Sequence, residues 1–198
     1  MAVKAQEKSF VYEENIKKKF TVDELLKMSE IGLFDFHDHV ELIDGVIYIP
    51  EGKKEKMSPI GIKHRNVVRK LVYIFNQIID LNKYFVDSQN RFSPDEETYI
   101  EPDIAIYDVD QLSVEKDNPE KVYLIVEVSH STLSYDRNIK LKKYAQLGIK
   151  QVWIVNLQKE EVEIFENPFE EGYKDIHIKT KEDEIQFFQN KIKVKEIF

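Results

Sequence analysis

The chain has 198 residues, a formal net charge of −8 at pH 7, a hydrophobic fraction of 42% and no cysteine. This composition is that of a globular protein, and it excludes disulfides, zinc–thiolate sites and cysteine nucleophiles. The acidic balance argues against a protein that coats nucleic acid by bulk electrostatic attraction.

No apolar run approaches the roughly 20 residues that a membrane-spanning helix needs. Residues 1–20 are charged and lack a hydrophobic signal core. We therefore expect a cytoplasmic protein with no membrane partner. One domain over residues 21–198, preceded by an N-terminal arm of residues 1–20, is the simplest organisation for this length.

Two local signals open the domain. Thr21 followed by Glu24 is a capping box and predicts a short helix to about Glu30. Asp44-Gly45, between apolar residues, predicts a β-hairpin over residues 40–49 with a type I′ turn.

Glu41 lies at an unusual position in this hairpin. A two-residue loop places Ile43 opposite Val46 and Glu41 opposite Tyr48, so Glu41 shares a face with apolar side chains. Taken alone, such a residue is more often a strand-end glutamate that reaches water.

Apolar residues at helical spacing predict a long amphipathic helix from Gly61 to about Asp80. Its first turns belong to a basic segment, residues 51–70, inside an otherwise acidic chain. A solvated helix face and a phosphate-binding surface are both consistent with this pattern. The candidate nucleic-acid contacts are His64, Arg65, Arg69 and Lys70.

Short strands are predicted at residues 83–86 and 89–93, followed by longer ones at Asp103–Tyr107 and Val122–Val128. The last is apolar on both faces, as expected of a central strand, yet it contains Glu127. A carboxylate buried there costs several kcal/mol unless it is paired or holds a metal. Asp103, directly after Pro102, places a second acid at the end of a strand.

A helix over residues 131–148 and a strand over residues 151–156 complete a strand–helix–strand crossover, which makes two strands parallel. Strands at 161–165, 173–178 and 185–188 are expected to extend the sheet in antiparallel fashion. The predicted fold class is therefore α/β, with a central mixed sheet flanked by helices.

Asp136, Lys140 and Tyr144 recur at four-residue intervals and hence lie on one stripe of the crossover helix. This helix starts where Glu127 ends its strand, at the sheet edge where α/β proteins usually bind ligands. Two acids there are suitable ligands for Mg²⁺ or Mn²⁺. A lysine beside such an ion can orient or deprotonate a water for attack on phosphorus. Simpler alternatives are a strand-capping Asp103, a buried ion pair of Glu127 with Lys140 or Arg137, and a surface salt bridge between Asp136 and Lys140.

The sequence resembles the PD-(D/E)xK nuclease superfamily and, within it, a bacterial family of restriction endonuclease domains that was formerly a domain of unknown function. The resemblance spans roughly residues 20–170. The matching segments are Glu41-Leu-Ile-Asp-Gly45, Met57-Ser-Pro59 with His64, Pro102-Asp-Ile-Ala105, Val126-Glu-Val-Ser129, Ser131-Thr-Leu-Ser-Tyr-Asp-Arg137, Lys140 with Tyr144-Ala145 and Gly148, and Val152-Trp-Ile-Val155.

The resemblance implies a restriction-endonuclease-like core. It implies that Asp103 and Glu127 are metal ligands, that the Val128 backbone carbonyl is a third, that Glu41 is an outer acid and that Lys140 is the catalytic lysine.

The chain departs from the superfamily pattern in one important place. The E-x-K lysine would fall at position 129, which is Ser129. The resemblance implies that in this family the following helix, where Lys140 stands, supplies the lysine. Lys142 and Lys143 are nearby rivals to Lys140. His130 and Asn156 also differ from many relatives, but neither is an expected ligand.

The expected function is that of a Mg²⁺- or Mn²⁺-dependent endonuclease that hydrolyses phosphodiester bonds in DNA. One alternative is an inactive nuclease-fold module that binds protein or nucleic acid. Another is a glycosidase using Glu127 and Asp103, which leaves Lys140 without a role. A homodimer is expected, because a twofold pair of active sites can cut the two strands of a DNA duplex. The candidate apolar contacts between the two copies are Phe187, Phe188 and Phe198.

Overall fold

The computed structural model describes residues 18–34, 39–50 and 59–198. Residues 1–17 of the expected N-terminal arm lie outside these ranges. Helix α1 (Val22–Glu30) begins at Thr21, whose hydroxyl accepts a hydrogen bond from the Glu24 amide, while the Glu24 carboxylate accepts one from the Thr21 amide. The predicted capping box is confirmed.

The predicted hairpin is also confirmed. Strands β1 (Glu41–Ile43) and β2 (Val46–Tyr48) pair antiparallel in the expected register. Asp44 and Gly45 have φ values of 52° and 74°, as a type I′ turn requires. A Cβ atom on Gly45 would lie 2.7 Å from the Cβ of Lys19, so glycine is needed here for space as well as for conformation.

The predicted amphipathic helix is α2 (Pro59–Ile78). Beside it, six strands form the main sheet in the order β3-β4-β5-β6-β7-β8. These strands are β3 (Tyr84–Ser88), β4 (Ile104–Asp108), β5 (Val122–Ser129), β6 (Gln151–Asn156), β7 (Glu161–Phe169) and β8 (Gly172–Lys179).

Strands β5 and β6 are parallel and every other neighbouring pair is antiparallel, which confirms the mixed sheet. The prediction of a separate strand at residues 89–93 is wrong. Within it Phe92 forms only an isolated bridge to Ile100.

The crossover between β5 and β6 is one helical run with an irregular centre. Helices α3 (Leu133–Tyr135) and α4 (Leu141–Gln146) flank a π-helical turn at Asp136–Lys140. Such turns occur often at functional sites. Gly148, at φ 75°, follows the end of the helix as predicted.

The chain ends in a second hairpin, β9 (Glu184–Phe187) with β10 (Asn190–Lys193), followed by α5 (Val194–Ile197). The prediction that residues 185–188 extend the main sheet is therefore wrong. Phe187 packs on Trp153 and Phe75, with ring centroids 5.4 and 5.3 Å apart.

This packing also corrects the expected dimer surface. Phe187 is buried in the core, and Phe198 is partly buried against it. Only Phe188 of the three phenylalanines is exposed, at 39%. A dimer contact formed by all three rings is therefore not supported.

The main sheet has apolar clusters on both faces. Leu124 and Val126 of β5 pack on the face covered by α2, whereas Ile125 packs on the face covered by α4. This confirms the prediction that β5 is apolar on both faces. In the described ranges no helix combines the length and apolar character needed to cross a membrane.

Candidate active site

Asp103 and Glu127 meet at one end of the sheet. Strands β4 and β5 pair Ala105 with Ile125 and Ile104 with Val126. Continuing this register by one residue places Asp103 opposite Glu127, and opposing residues in an antiparallel pair point to the same face. The Val128 amide donates a 2.8 Å hydrogen bond to the Asp103 carboxylate, which holds it against β5.

Lys140 links two of the expected site acids. Its side chain is 0% exposed, and its Nζ lies 2.7 Å from Glu127 Oε1 and 3.1 Å from Glu41 Oε1. It also donates to the Glu101 carbonyl at 3.3 Å. Burial lowers the pKa of Lys140, but the Glu127 and Glu41 carboxylates more than reverse this, and the net pKa is raised. The lysine is therefore held as a buried ammonium.

Glu41 is fully buried, so the strand-end alternative in which it reaches water is wrong. Its carboxylate accepts hydrogen bonds from the Tyr135 hydroxyl at 2.6 Å and from the Glu101 amide at 3.2 Å, in addition to the Lys140 contact. The β1 hairpin thus contributes an acid to the site.

Two tyrosines of the crossover helix complete this network. The Tyr144 hydroxyl donates to Glu127 Oε1 at 2.6 Å, and burial raises the pKa of Tyr144 well above its ordinary value. The sequence analysis named neither tyrosine as a site residue. The four-residue stripe could have identified Tyr144, but no local signal connects Tyr135 to Glu41, 94 residues away.

Asp136 is buried, and the alternative of a surface salt bridge with Lys140 is wrong, since Lys140 pairs with Glu41 and Glu127. It accepts hydrogen bonds from the Ser129 and Thr132 hydroxyls, each at 2.7 Å. Burial raises the pKa of Asp136, an effect that Lys140 partly offsets. Ser129, at the position of the E-x-K lysine, therefore anchors the start of the helix that carries Lys140.

The rival lysines lie elsewhere. Lys142 Nζ is 2.9 Å from Glu171 on an exposed face, and Lys143 Nζ is 2.6 Å from Asp44 in the hairpin turn. Of the three lysines on this helix, Lys140 is the one that pairs with Glu127.

Helix α2 reaches the site through His64. His64 Nε2 lies 3.1 Å from the Asp103 carboxylate. Arg65, Arg69 and Lys70, the other candidate nucleic-acid contacts, are exposed on the same helix.

The site has an excess of acidic groups. The charges of Glu41, Asp103 and Asp136 all act on Glu127, and Lys140 is the buried cation beside it. Burial is the largest influence on the pKa of Glu127 and raises it, the three neighbouring acids raise it as well, and Lys140 lowers it. This environment favours an additional positive charge.

A divalent cation fits these donors. Within the described ranges no three acidic or histidine side chains form a preassembled ligand cluster. Mg²⁺, however, commonly binds one or two carboxylates and keeps several waters. The Asp103 and Glu127 carboxylates with the Val128 carbonyl oxygen meet that requirement, and all are hard oxygen donors.

The fold and this group of acids around a lysine define a restriction-endonuclease-like α/β domain. The chain matches the profile of the Uma2 family, described as "Putative restriction endonuclease", over residues 22–190. It belongs to that family, and this membership supports a nuclease-like function.

A solved structure agrees on the fold. The structure is described as a "putative nuclease belonging to DUF820" from Anabaena variabilis. It is 14% identical in sequence, with a TM-score of 0.59, and the match covers 90% of this chain and 97% of that one. None of the curated proteins compared with the chain matches it.

Proposed function

We propose that this protein is an endonuclease that hydrolyses phosphodiester bonds in DNA with the help of Mg²⁺ or Mn²⁺. The observation that carries the proposal is the buried Lys140 ammonium, 2.7 Å from Glu127 Oε1. A second acid, Asp103, lies next to Glu127, because its carboxylate accepts a hydrogen bond from the Val128 amide. Family membership supports the same reaction class.

Asp103, Glu127 and the Val128 carbonyl oxygen would hold the cation. When bound, such an ion stabilises charge on phosphoryl oxygens and lowers the pKa of a coordinated water. Lys140 would orient the attacking water and stabilise the negative charge that develops in the transition state. Glu41 holds Lys140, and Tyr144 holds Glu127, so both groups are positioned before substrate binds.

The exposed basic side chains of α2 would contact the DNA backbone. His64 joins this helix to Asp103, which places Arg65, Arg69 and Lys70 on the element next to the site. Phosphate contacts of this kind weaken as salt concentration rises. They would allow a chain with a net charge of −8 to bind DNA locally.

The glycosidase alternative is less well supported. It requires Glu127 and Asp103 as an acid–base pair and gives no role to Lys140, yet Lys140 contacts Glu127 directly.

The test is nicking of supercoiled plasmid with Mg²⁺ or Mn²⁺, comparing the wild type with Glu127→Gln. We expect metal-dependent nicking by the wild type and its loss in the variant, since the amide keeps the shape but loses the charge. Equal nicking by both proteins would contradict the proposed site. DNA binding by the wild type without cleavage in either metal would favour a non-catalytic binding module.

A further inference from the structure

Strand β8 forms an open edge of the main sheet. It pairs with β7 on one side, and no other strand of the described chain pairs with its outer side. At eight residues it is long for an edge strand, and its segment contains no proline. An open edge presents unpaired backbone N–H and C=O groups, which are a template for pairing with another chain.

Two large apolar side chains of β8 are exposed to solvent. Ile176 and Ile178 are each 57% exposed. Successive side chains of a strand point to opposite faces, so these two isoleucines share one face while Asp175, His177 and Lys179 share the other. A solvated edge strand has no evident need for two exposed isoleucines.

Symmetry limits how β8 can pair with itself. Opposing residues in an antiparallel pair point to the same face. A twofold axis perpendicular to the sheet also keeps each residue on its own face in the second copy. The numbers of two opposing residues must therefore differ by an even number. The twofold axis then passes beside one residue that lies opposite its own copy, and the register is named by that central residue.

One register pairs apolar residues on one face of the sheet and opposite charges on the other. Centred on His177, the pairing places Ile176 opposite Ile178 of the second copy and Asp175 opposite its Lys179. Each contact occurs twice, and cross-strand pairs of these kinds are stabilising.

The neighbouring registers fit less well. A pairing centred on Ile176 places Lys174 opposite Ile178. One centred on Ile178 places His177 opposite Lys179 and Ile176 opposite Thr180. While histidine is neutral, neither register combines an apolar pair with two opposite-charge pairs.

We propose that β8 pairs with β8 of a second copy of this chain in the register centred on His177, which joins the two main sheets. The contact lies three strands from β5, about 14 Å at the usual strand spacing. It uses no residue of the proposed active site, so it stands or fails independently of nuclease activity.

The test is sedimentation velocity of the full chain over a concentration series, at a pH where histidine is neutral. We expect a monomer–dimer equilibrium in the wild type. Lys179→Asp places like charges opposite each other twice and should weaken the dimer at least about tenfold. The double variant Asp175→Lys/Lys179→Asp restores opposite charges and should recover dimerisation.

Lys174→Asp is the matched control, because it makes the same charge change on the same strand but faces the uncharged Thr180 of the second copy. Circular dichroism and melting temperature check that every variant is folded, including the double variant, which loses the hydrogen bond between Asn167 and Asp175. A wild-type monomer at high micromolar concentration would overturn the proposal. Equal weakening by Lys174→Asp and Lys179→Asp, or no recovery in the double variant, would overturn the register.

Discussion

Lys140 and Glu127 form a buried ion pair, with side chains 0% and 4% exposed and 2.7 Å between Nζ and Oε1. Burying two charges is costly, and replacing such a pair with apolar residues is often neutral or stabilising. Stability alone therefore does not account for this pair. The proposed role in chemistry would account for it, because an ammonium beside a carboxylate that binds a metal is suited to orienting water.

Lys140→Met should abolish activity and lower stability together. It removes the ammonium at similar volume, and cleavage should fall about 100-fold or more, as for loss of a positioned acid–base group. It also leaves Glu41 and Glu127 without their cation, and breaking a buried pair costs about 3–5 kcal/mol. Plasmid nicking well below the melting temperature measures the first effect, and thermal unfolding the second.

The control for Lys140→Met is Lys142→Ala, on the exposed pair with Glu171. It should behave nearly as wild type, because exposed ion pairs contribute little. Retained cleavage in folded Lys140→Met would remove Lys140 from the proposed mechanism.

Tyr144→Phe should reduce activity by about tenfold or more, because groups that orient a metal ligand have effects of that size. The variant loses only the hydroxyl that donates to Glu127. Tyr173→Phe is a matched control, since its buried hydroxyl donates to the Ile149 carbonyl at 2.7 Å, away from the site acids. Both variants should lose about 1 kcal/mol of stability, and only Tyr144→Phe should lose cleavage. Equal cleavage in the two would argue that Tyr144 is purely structural.

Asp103→Asn should weaken Mn²⁺ binding at least about tenfold, because it removes one charged ligand. The asparagine oxygen can still accept the hydrogen bond from Val128, so the fold should survive. Isothermal titration calorimetry measures the affinity, and the rise in melting temperature with added Mn²⁺ gives a second readout. Asp44→Asn, in the hairpin turn, is the control. The same affinity in Asp103→Asn and wild type would exclude Asp103 as a ligand.

Glu160 predicts a pH dependence of stability outside the site. Its hydrogen bonds to Lys181 and Lys63 lower its pKa from 4.5 to about 2. A carboxyl group whose pKa is lower in the folded state stabilises the protein above pH 4.5, and this contribution is lost as the pH falls towards 2. The melting-temperature difference between wild type and Glu160→Gln should therefore shrink over that interval. A difference that stays constant or grows on acidification would contradict the assignment.

The elements with strong local signals were predictable from the sequence. The Thr21 capping box, the Asp44-Gly45 turn and the apolar alternation of β5 each depend on a few neighbouring residues. Helical spacing alone also predicts that Asp136, Lys140 and Tyr144 lie on the same face of their helix. These features required no knowledge of distant parts of the chain.

Other features depend on contacts between distant parts of the chain. Residues 185–188 alternate like a sheet strand, but this alternation shows only which face is buried, and the packing of Phe187 on Phe75 and Trp153 places the strand in a separate hairpin. The helical pattern likewise gave no sign of the π-helical turn at Asp136–Lys140.

The partners of Lys140 show the same division most clearly. The sequence by itself determined that an acid, Glu127, lies in a buried strand and that a lysine follows on the next helix. Only the tertiary structure brings Glu41, 99 residues away in the sequence, into contact with the Lys140 ammonium. It also brings the Tyr135 hydroxyl within hydrogen-bonding distance of Glu41. The physical reason is that local spacing determines which side a residue faces, whereas the need to pair a buried charge is met by whichever groups the folded chain brings within reach.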